Sequence, residues 1–169
     1  MSNRAAFRPG RSGARLNQIA KLLPESNILL DVEATSKKRL FEQVGQLFED
    51  REHVARSVVF ESLFAREKLG STGLGQGIAI PHGRIKGLDR TLAAFVRPRQ
   101  PIAFDAPDGK PVAQVFVLLV PEQATEEHLQ LLSELAGMFT ERGFRDQLAA
   151  ASDPASLHRL FATWESTPS

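Results

Sequence analysis

The chain has no cysteine. A disulfide-stapled scaffold and a cysteine zinc site are therefore excluded, and a reducing compartment is compatible with the composition. Long hydrophobic runs are missing as well. The longest, Val115-Phe116-Val117-Leu118-Leu119-Val120, falls far short of the roughly 20 apolar residues that a bilayer-crossing helix needs. No apolar signal-peptide core follows Met1. A soluble, cytoplasmic protein without membrane insertion is expected. There is no internal repeat, so solenoid architectures drop out, and 169 residues are enough for one domain with a good core.

A strong net charge is also lacking, but the balance of +1 hides an asymmetry. Of the 21 basic side chains, four (Arg4, Arg8, Arg11 and Arg15) lie in the acid-free residues 1–15, leaving 17 against 20 acidic ones in the rest. The basic charge thus sits in a Gly/Arg/Pro/Ser stretch and not in the domain. Residues 1–21 are expected to be a basic, flexible extension and residues 22–166 the folded domain. A nucleic-acid or anionic-surface arm is the alternative. With only Phe7 available for stacking, no nucleic-acid partner is expected.

Within the domain, Ile28-Leu29-Leu30-Asp31-Val32 reads as a buried strand. Ser36 can cap a helix whose Leu40, Phe41, Val44, Leu47 and Phe48 recur at helical spacing. A break near Asp50-Arg51 leads to a second helix over about 52–69, ended by Gly70. A glycine-rich loop over 70–77, a short strand over 78–80 and a strand over 91–96 follow. Residues 112–120 are so continuously apolar that they belong in a sheet covered on both faces. Three helices close the chain: one from Thr125 to about Thr140, one over 143–150, and one opened by Asp153-Pro154. Trp164 reads as a packing anchor. The order β-α-α-β-β-β-α-α-α predicts an α+β fold, a three-layer α/β/α arrangement around a mixed sheet.

Two familiar glycine motifs fail. In "GSTGLGQG" the G-x-x-x-x-G spacing from Gly70 to Gly75 is followed by Gln76 and Gly77, where a phosphate loop needs lysine and a hydroxyl residue. The dinucleotide fingerprint requires the loop to run from strand to helix, and here it runs from helix to strand. No nucleotide or other cofactor is expected. The loop is either a flexible connector or a concavity whose N–H groups hold an anion.

"GIAIPHGR", residues 77–84, places His82 where a strand stops at Pro81. A neutral imidazole is a nucleophile and a metal ligand. His53, His128 and His158 form no H-x-x-x-H pair, so no metal is expected. A serine-hydrolase elbow is absent too. His82 is either a turn histidine bonded to a nearby carbonyl or a nucleophile. His128 shares a helix face with Leu132, Leu135 and Phe139, so it points to the core near a helix N-terminus. It is either a satisfied core histidine or a neutral donor to an anion. Arg66 continues the apolar face of Val59 and Leu63. It either seeks a partly buried anion or serves as a cation at a helix C-terminus. Two imidazoles and an arginine around a glycine loop suggest phosphoryl chemistry on the His82 ring, with charge spread over Arg66, His128 and loop N–H groups. With no nucleotide motif, the phosphate would arrive on another protein.

The segments LFAREKLGSTGLGQGIAIPHGR, PIAFDAPDGKPV, VFVLLVPE and EEHLQLLSELA together resemble the type-2 IIA domains of the bacterial phosphotransferase system, in particular the nitrogen-regulatory branch. The resemblance spans about residues 22–166. It implies that a phosphoryl group from phosphoenolpyruvate reaches His82 Nε2 through a small histidine phosphocarrier protein (a nitrogen-type HPr), forming a tele-phosphohistidine. It further implies that His128 and Arg66 stabilise the phosphate and that Ser71, Thr72, Gly75, Gly77, Pro81 and Gly83 support the site. Gln76 stands where the family often has asparagine. Members of the nitrogen branch are primarily regulators, binding targets such as potassium-transport or stress-signalling proteins according to phosphorylation state. Sugar-specific members instead donate to a IIB transporter domain. A binding module that is no longer phosphorylated is a third reading.

Overall fold

In the computed structural model, residues 18–123 and 125–165 are described; the arginine-rich residues 1–15 lie outside that range. Residues 18–21, expected in the extension, belong to helix α1 (residues 18–22), where Ile19 is buried in the core.

Alternation along the two central strands builds the layers. In β5 (Leu92–Pro98), Leu92, Ala94 and Val96 face one way and Ala93 and Phe95 the other; in β6 (Gln114–Pro121), Val115, Val117 and Leu119 oppose Phe116 and Leu118. Every one of these side chains is buried, because side chains of a strand alternate between faces and both faces here are roofed. The first face packs against α2 (Lys37–Glu52) and α3 (Arg56–Leu69). The second packs against α1, α4 (Thr125–Phe139), α5 (Arg142–Ala150) and α6 (Pro154–Thr163). The result is the expected three-layer α/β/α arrangement around a mixed sheet.

The sheet runs β1-β5-β6-β3-β2, with β1 (Ile28–Val32) parallel to β5, and β5 antiparallel to β6. Two strands go beyond the sequence reading. The glycine loop contains β2 (Gly73–Gly75), which pairs antiparallel with β3 (Ile78–Ala79). The strand read as stopping at Ile80 resumes after Pro81 as β4 (His82–Ile85), parallel to β6. Ile78 pairs with Gln114 and His82 with Leu118, so β3 and β4 keep one register. The interruption falls at proline, which has no N–H to give the ladder, while the Pro81 carbonyl still accepts from Leu118 N–H at 3.0 Å.

Local signals set the helix ends. Ser36 Oγ accepts from Arg39 N–H, and an Asp153 carboxylate oxygen accepts from Ser156 N–H, both at 3.1 Å. The break between α2 and α3 falls at residues 53–55, later than expected. His53, with φ 62°, ends α2 in the left-handed conformation, and its N–H reaches back to Glu49 O. Trp164 packs edge-on against Phe144 and donates to Glu141, as an anchor should. Among the described residues, no helix is long and apolar enough to cross a membrane.

Candidate functional site

The site is assembled from the C-terminus of α3, the joint between β3 and β4, and the first turn of α4. Pro81 lies at the interruption, so His82 opens β4 at the sheet edge instead of standing on a free corner. Its ring is half-buried, and Nδ1 lies 2.9 Å from the Ile80 carbonyl. A carbonyl can only accept, so Nδ1 carries the proton and Nε2 keeps its lone pair. The carbonyl bond of the turn-histidine reading is present, and it leaves a lone pair on the other ring nitrogen.

His128 meets it from α4, with ring centroids 5.1 Å apart and planes inclined by 67°. As expected from its helix face, His128 is buried, together with Leu135 and Phe139. Neither of its ring nitrogens has a hydrogen-bond partner among the described residues, so the reading of a satisfied core histidine does not describe it. Burial is the main cause holding the pKa of both imidazoles below 6.5; for His82 the Ile80 carbonyl and Glu67 oppose it, while Arg66 adds to it. For His128 the further causes are His82, Arg84 and Arg66. These four groups thus share one electrostatic neighbourhood, and both rings are biased to the neutral form at pH 7.

Arg66 is half-buried at the end of α3, where its Nη1 donates to the Gly70 carbonyl at 2.8 Å. This is the helix C-terminal cation of the sequence reading, and its charge bears on both imidazoles. The acid that the α3 end buries is its neighbour Glu67, which the sequence reading missed. Glu67 accepts from the Thr72 hydroxyl at 2.6 Å and the Thr72 N–H at 3.0 Å, and pairs with Lys37 Nζ at 3.0 Å. The Ser71 hydroxyl donates to Phe104 O at 2.6 Å.

Four N–H groups of the glycine loop are taken by internal acceptors and are not free to hold an anion. The N–H groups of Gly70, Thr72, Gly73 and Gln76 already donate to Glu67 O, the Glu67 carboxylate, Ser71 Oγ and Asp108. Gly75 and Gly77, with φ 89° and 79°, instead shape the tight β2–β3 turn. Gly83 is needed for proximity: a Cβ there would lie 2.2 Å from Ser62 Oγ on α3, whose hydroxyl donates to Arg84 O. A separate surface cleft of about 680 Å³ between α1, the β4–β5 connection and α4 includes neither His82 nor His128.

This geometry can hold a neutral nucleophile, a second neutral imidazole with an uncommitted N–H, and nearby arginines, which suits transfer of a phosphoryl group. A family model described as "Phosphoenolpyruvate-dependent sugar phosphotransferase system, EIIA 2" matches residues 21–164. The nitrogen regulatory protein of Pseudomonas aeruginosa is 43% identical over 144 residues, covering 85% of this chain and 94% of that protein. The crystal structure of nitrogen regulatory protein IIA-Ntr from Neisseria meningitidis superposes with a TM-score of 0.82 at 53% identity, covering 85% of this chain and 99% of that one. The fold alone is shared with IIA mannitol from Escherichia coli, with a TM-score of 0.70 at 23% identity, covering 82% and 97% of the two chains. Sequence, fold and relatives agree that the chain belongs to the EIIA type-2 family of the phosphoenolpyruvate-dependent sugar phosphotransferase system.

Proposed function

We propose that this protein is a cytoplasmic phosphocarrier and regulator of the nitrogen branch of that system. It takes a phosphoryl group from a histidine phosphocarrier protein and binds regulatory targets according to its phosphorylation state. The observation that carries the reading is the 2.9 Å contact from His82 Nδ1 to Ile80 O, which leaves the Nε2 lone pair available to phosphorus. The names of its nitrogen regulatory relatives support the regulatory half.

In the transfer, Nε2 of His82 attacks the phosphorus of the carrier's phosphohistidine. A new P–N bond forms as the old one breaks, and the carrier's imidazole leaves with its electron pair. The positive charge that grows on the His82 ring is met at Nδ1–H by the Ile80 carbonyl. Negative charge on the phosphoryl oxygens falls to a His128 N–H and to Arg66, with Arg84 adding to the local positive potential. Phosphorylation places up to about two negative charges on a mostly preformed surface. Partners would read this change locally, with amide spectra unchanged away from the site.

Incubation with the upstream enzymes and phosphoenolpyruvate, followed by intact-mass measurement, tests the reading. One acid-labile phosphoryl group should appear on the protein and none on His82→Ala; an unmodified wild-type protein would leave a pure binding module. Efficient onward transfer to a sugar IIB domain would instead favour the sugar-transport role.

A further inference from the structure

A continuous chain of hydrogen bonds leads from a buried ion pair to the reacting imidazole. Lys37 on α2 pairs with Glu67 at 3.0 Å; its ammonium also donates to Phe104 O at 3.1 Å and lies 4.7 Å from the centre of the Phe104 ring. The Glu67 side chain is only 3% exposed. Its carboxylate takes both the N–H and the hydroxyl of Thr72. The Thr72 carbonyl accepts from Ile80 N–H at 3.0 Å, and the Ile80 carbonyl accepts from His82 Nδ1. On the far side, Leu118 N–H holds the Pro81 carbonyl. The segment carrying His82 is thus gripped from β6 and, through Thr72, from Glu67.

We propose that Glu67, with Lys37 as its counter-charge, is a positioning residue that keeps His82 in the Nδ1–H tautomer by anchoring Thr72 and, through it, Ile80. A buried carboxylate is costly unless paired and fully hydrogen-bonded. Apolar packing would hold the end of α3 without that cost, so the pair points to a role in specifying one arrangement. Its place one residue from Arg66 strengthens the case. Arg66 grips Gly70 and Glu67 grips Thr72, so consecutive side chains of α3 clamp both ends of the loop between helix and sheet. Glu67 touches no reacting atom; it acts through backbone groups. Its effect on phosphoryl transfer rests on the phosphoacceptor reading of His82, but its effect on the tautomer does not.

The test uses the unphosphorylated protein, with ring ¹⁵N shifts of His82 recorded above neutral pH for wild type, Glu67→Gln, Thr72→Val and Thr72→Ser. Wild type should show Nδ1 protonated and Nε2 bare. Glu67→Gln should populate the Nε2–H form, Thr72→Val should do so to a smaller degree, and Thr72→Ser, which keeps the hydroxyl, should retain the wild-type pattern. Phosphoryl uptake rates should fall in the same order. Thr72→Val keeps the Thr72 N–H bond and the side-chain volume, so it serves if Glu67→Gln does not fold. A single Nδ1–H tautomer in folded Glu67→Gln or Thr72→Val, with only the melting temperature lowered, would overturn the proposal. Wild-type protein with the expected tautomer but no phosphoryl uptake would contradict the functional reading and leave this one standing.

Discussion

The two sides of the candidate site are built on opposite principles. On the α3 side, polar groups are matched within the protein: Arg66 to Gly70, Ser71 to Phe104, Thr72 to Glu67, and Glu67 to Lys37. On the α4 side stands His128, buried and with both ring nitrogens unmatched among the described residues. Buried polar groups are nearly always satisfied, so each exception calls for an explanation. The α3 side is a scaffold that holds geometry. In the proposed function the α4 side supplies a donor to the phosphoryl anion. Substitutions on the two sides should therefore fail differently, on the first in stability and in the placement of the reacting groups together, on the second in chemistry without loss of stability.

The sharpest way to draw that contrast is His128→Leu, which removes both ring nitrogens. Loss of a preorganised donor to a developing oxyanion typically costs about 10²–10³-fold in rate, and a fall in phosphoryl uptake of that order is expected, with little change in the denaturation midpoint. Stopped-flow or quenched-flow transfer assays beside urea titrations read both quantities. A large loss of stability with unchanged transfer would reverse the assignment of the two sides.

Gly83→Ala probes the scaffold. The new methyl would meet Ser62 Oγ at 2.2 Å and Ser62 Cβ at 3.1 Å, so α3 must shift away from β4. Overpacking of this kind costs about 1–3 kcal/mol. Adding Ser62→Ala removes the hydroxyl but not its Cβ, and should recover part of the loss in a denaturant titration.

The pH dependence of stability distinguishes the sides more gently. Both imidazoles have pKa values below 6.5 in the folded state, chiefly through burial. The unfolded chain therefore binds protons more readily, and folding stability rises with pH across this range. The contribution is complete above 6.5 and is lost as pH falls through the lowered folded-state values. His128→Leu should flatten this slope, whereas Gly83→Ala should shift the whole curve down without altering its shape.

The smallest effect is expected at Gln76. With Gly77 it forms a two-residue turn between β2 and β3 in which both residues have positive φ, 61° and 79°. Such turns favour Asn-Gly, because asparagine tolerates the left-handed region better than glutamine. Gln76→Asn should raise stability by about 0.5 kcal/mol, measured by thermal unfolding, with transfer rates unchanged.

Most of the fold could be read from the sequence because its physics is local. The unbroken apolar run within residues 112–120 specifies a strand covered on both faces, and Ser36, Gly70 and Asp153 mark helix ends by their own chemistry. Strands β2 and β4 were hidden for equally physical reasons. The first is mostly glycine and carries no side-chain pattern; the second follows a proline that normally ends a strand. The helical identity of residues 18–21 was obscured by the arginine-rich stretch before them, although Ile19 and Leu23 mark the core. At the site, His82, His128 and Arg66 could be singled out from helix faces and from the Pro-His corner. Glu67 could not, because its counter-ion Lys37 lies 30 residues away and no periodicity links them. Nor could the sequence show that internal acceptors take four of the glycine loop's N–H groups.

The central claim is that Nε2 of His82 carries the phosphoryl group while Nδ1 stays bonded to Ile80. Phosphorylation of ¹⁵N-histidine-labelled protein, followed by ³¹P–¹⁵N coupling measurements, tests it most directly. The account predicts phosphorus coupled to Nε2 of His82, with Nδ1 still protonated. Phosphorus on Nδ1, or on His128, would contradict it.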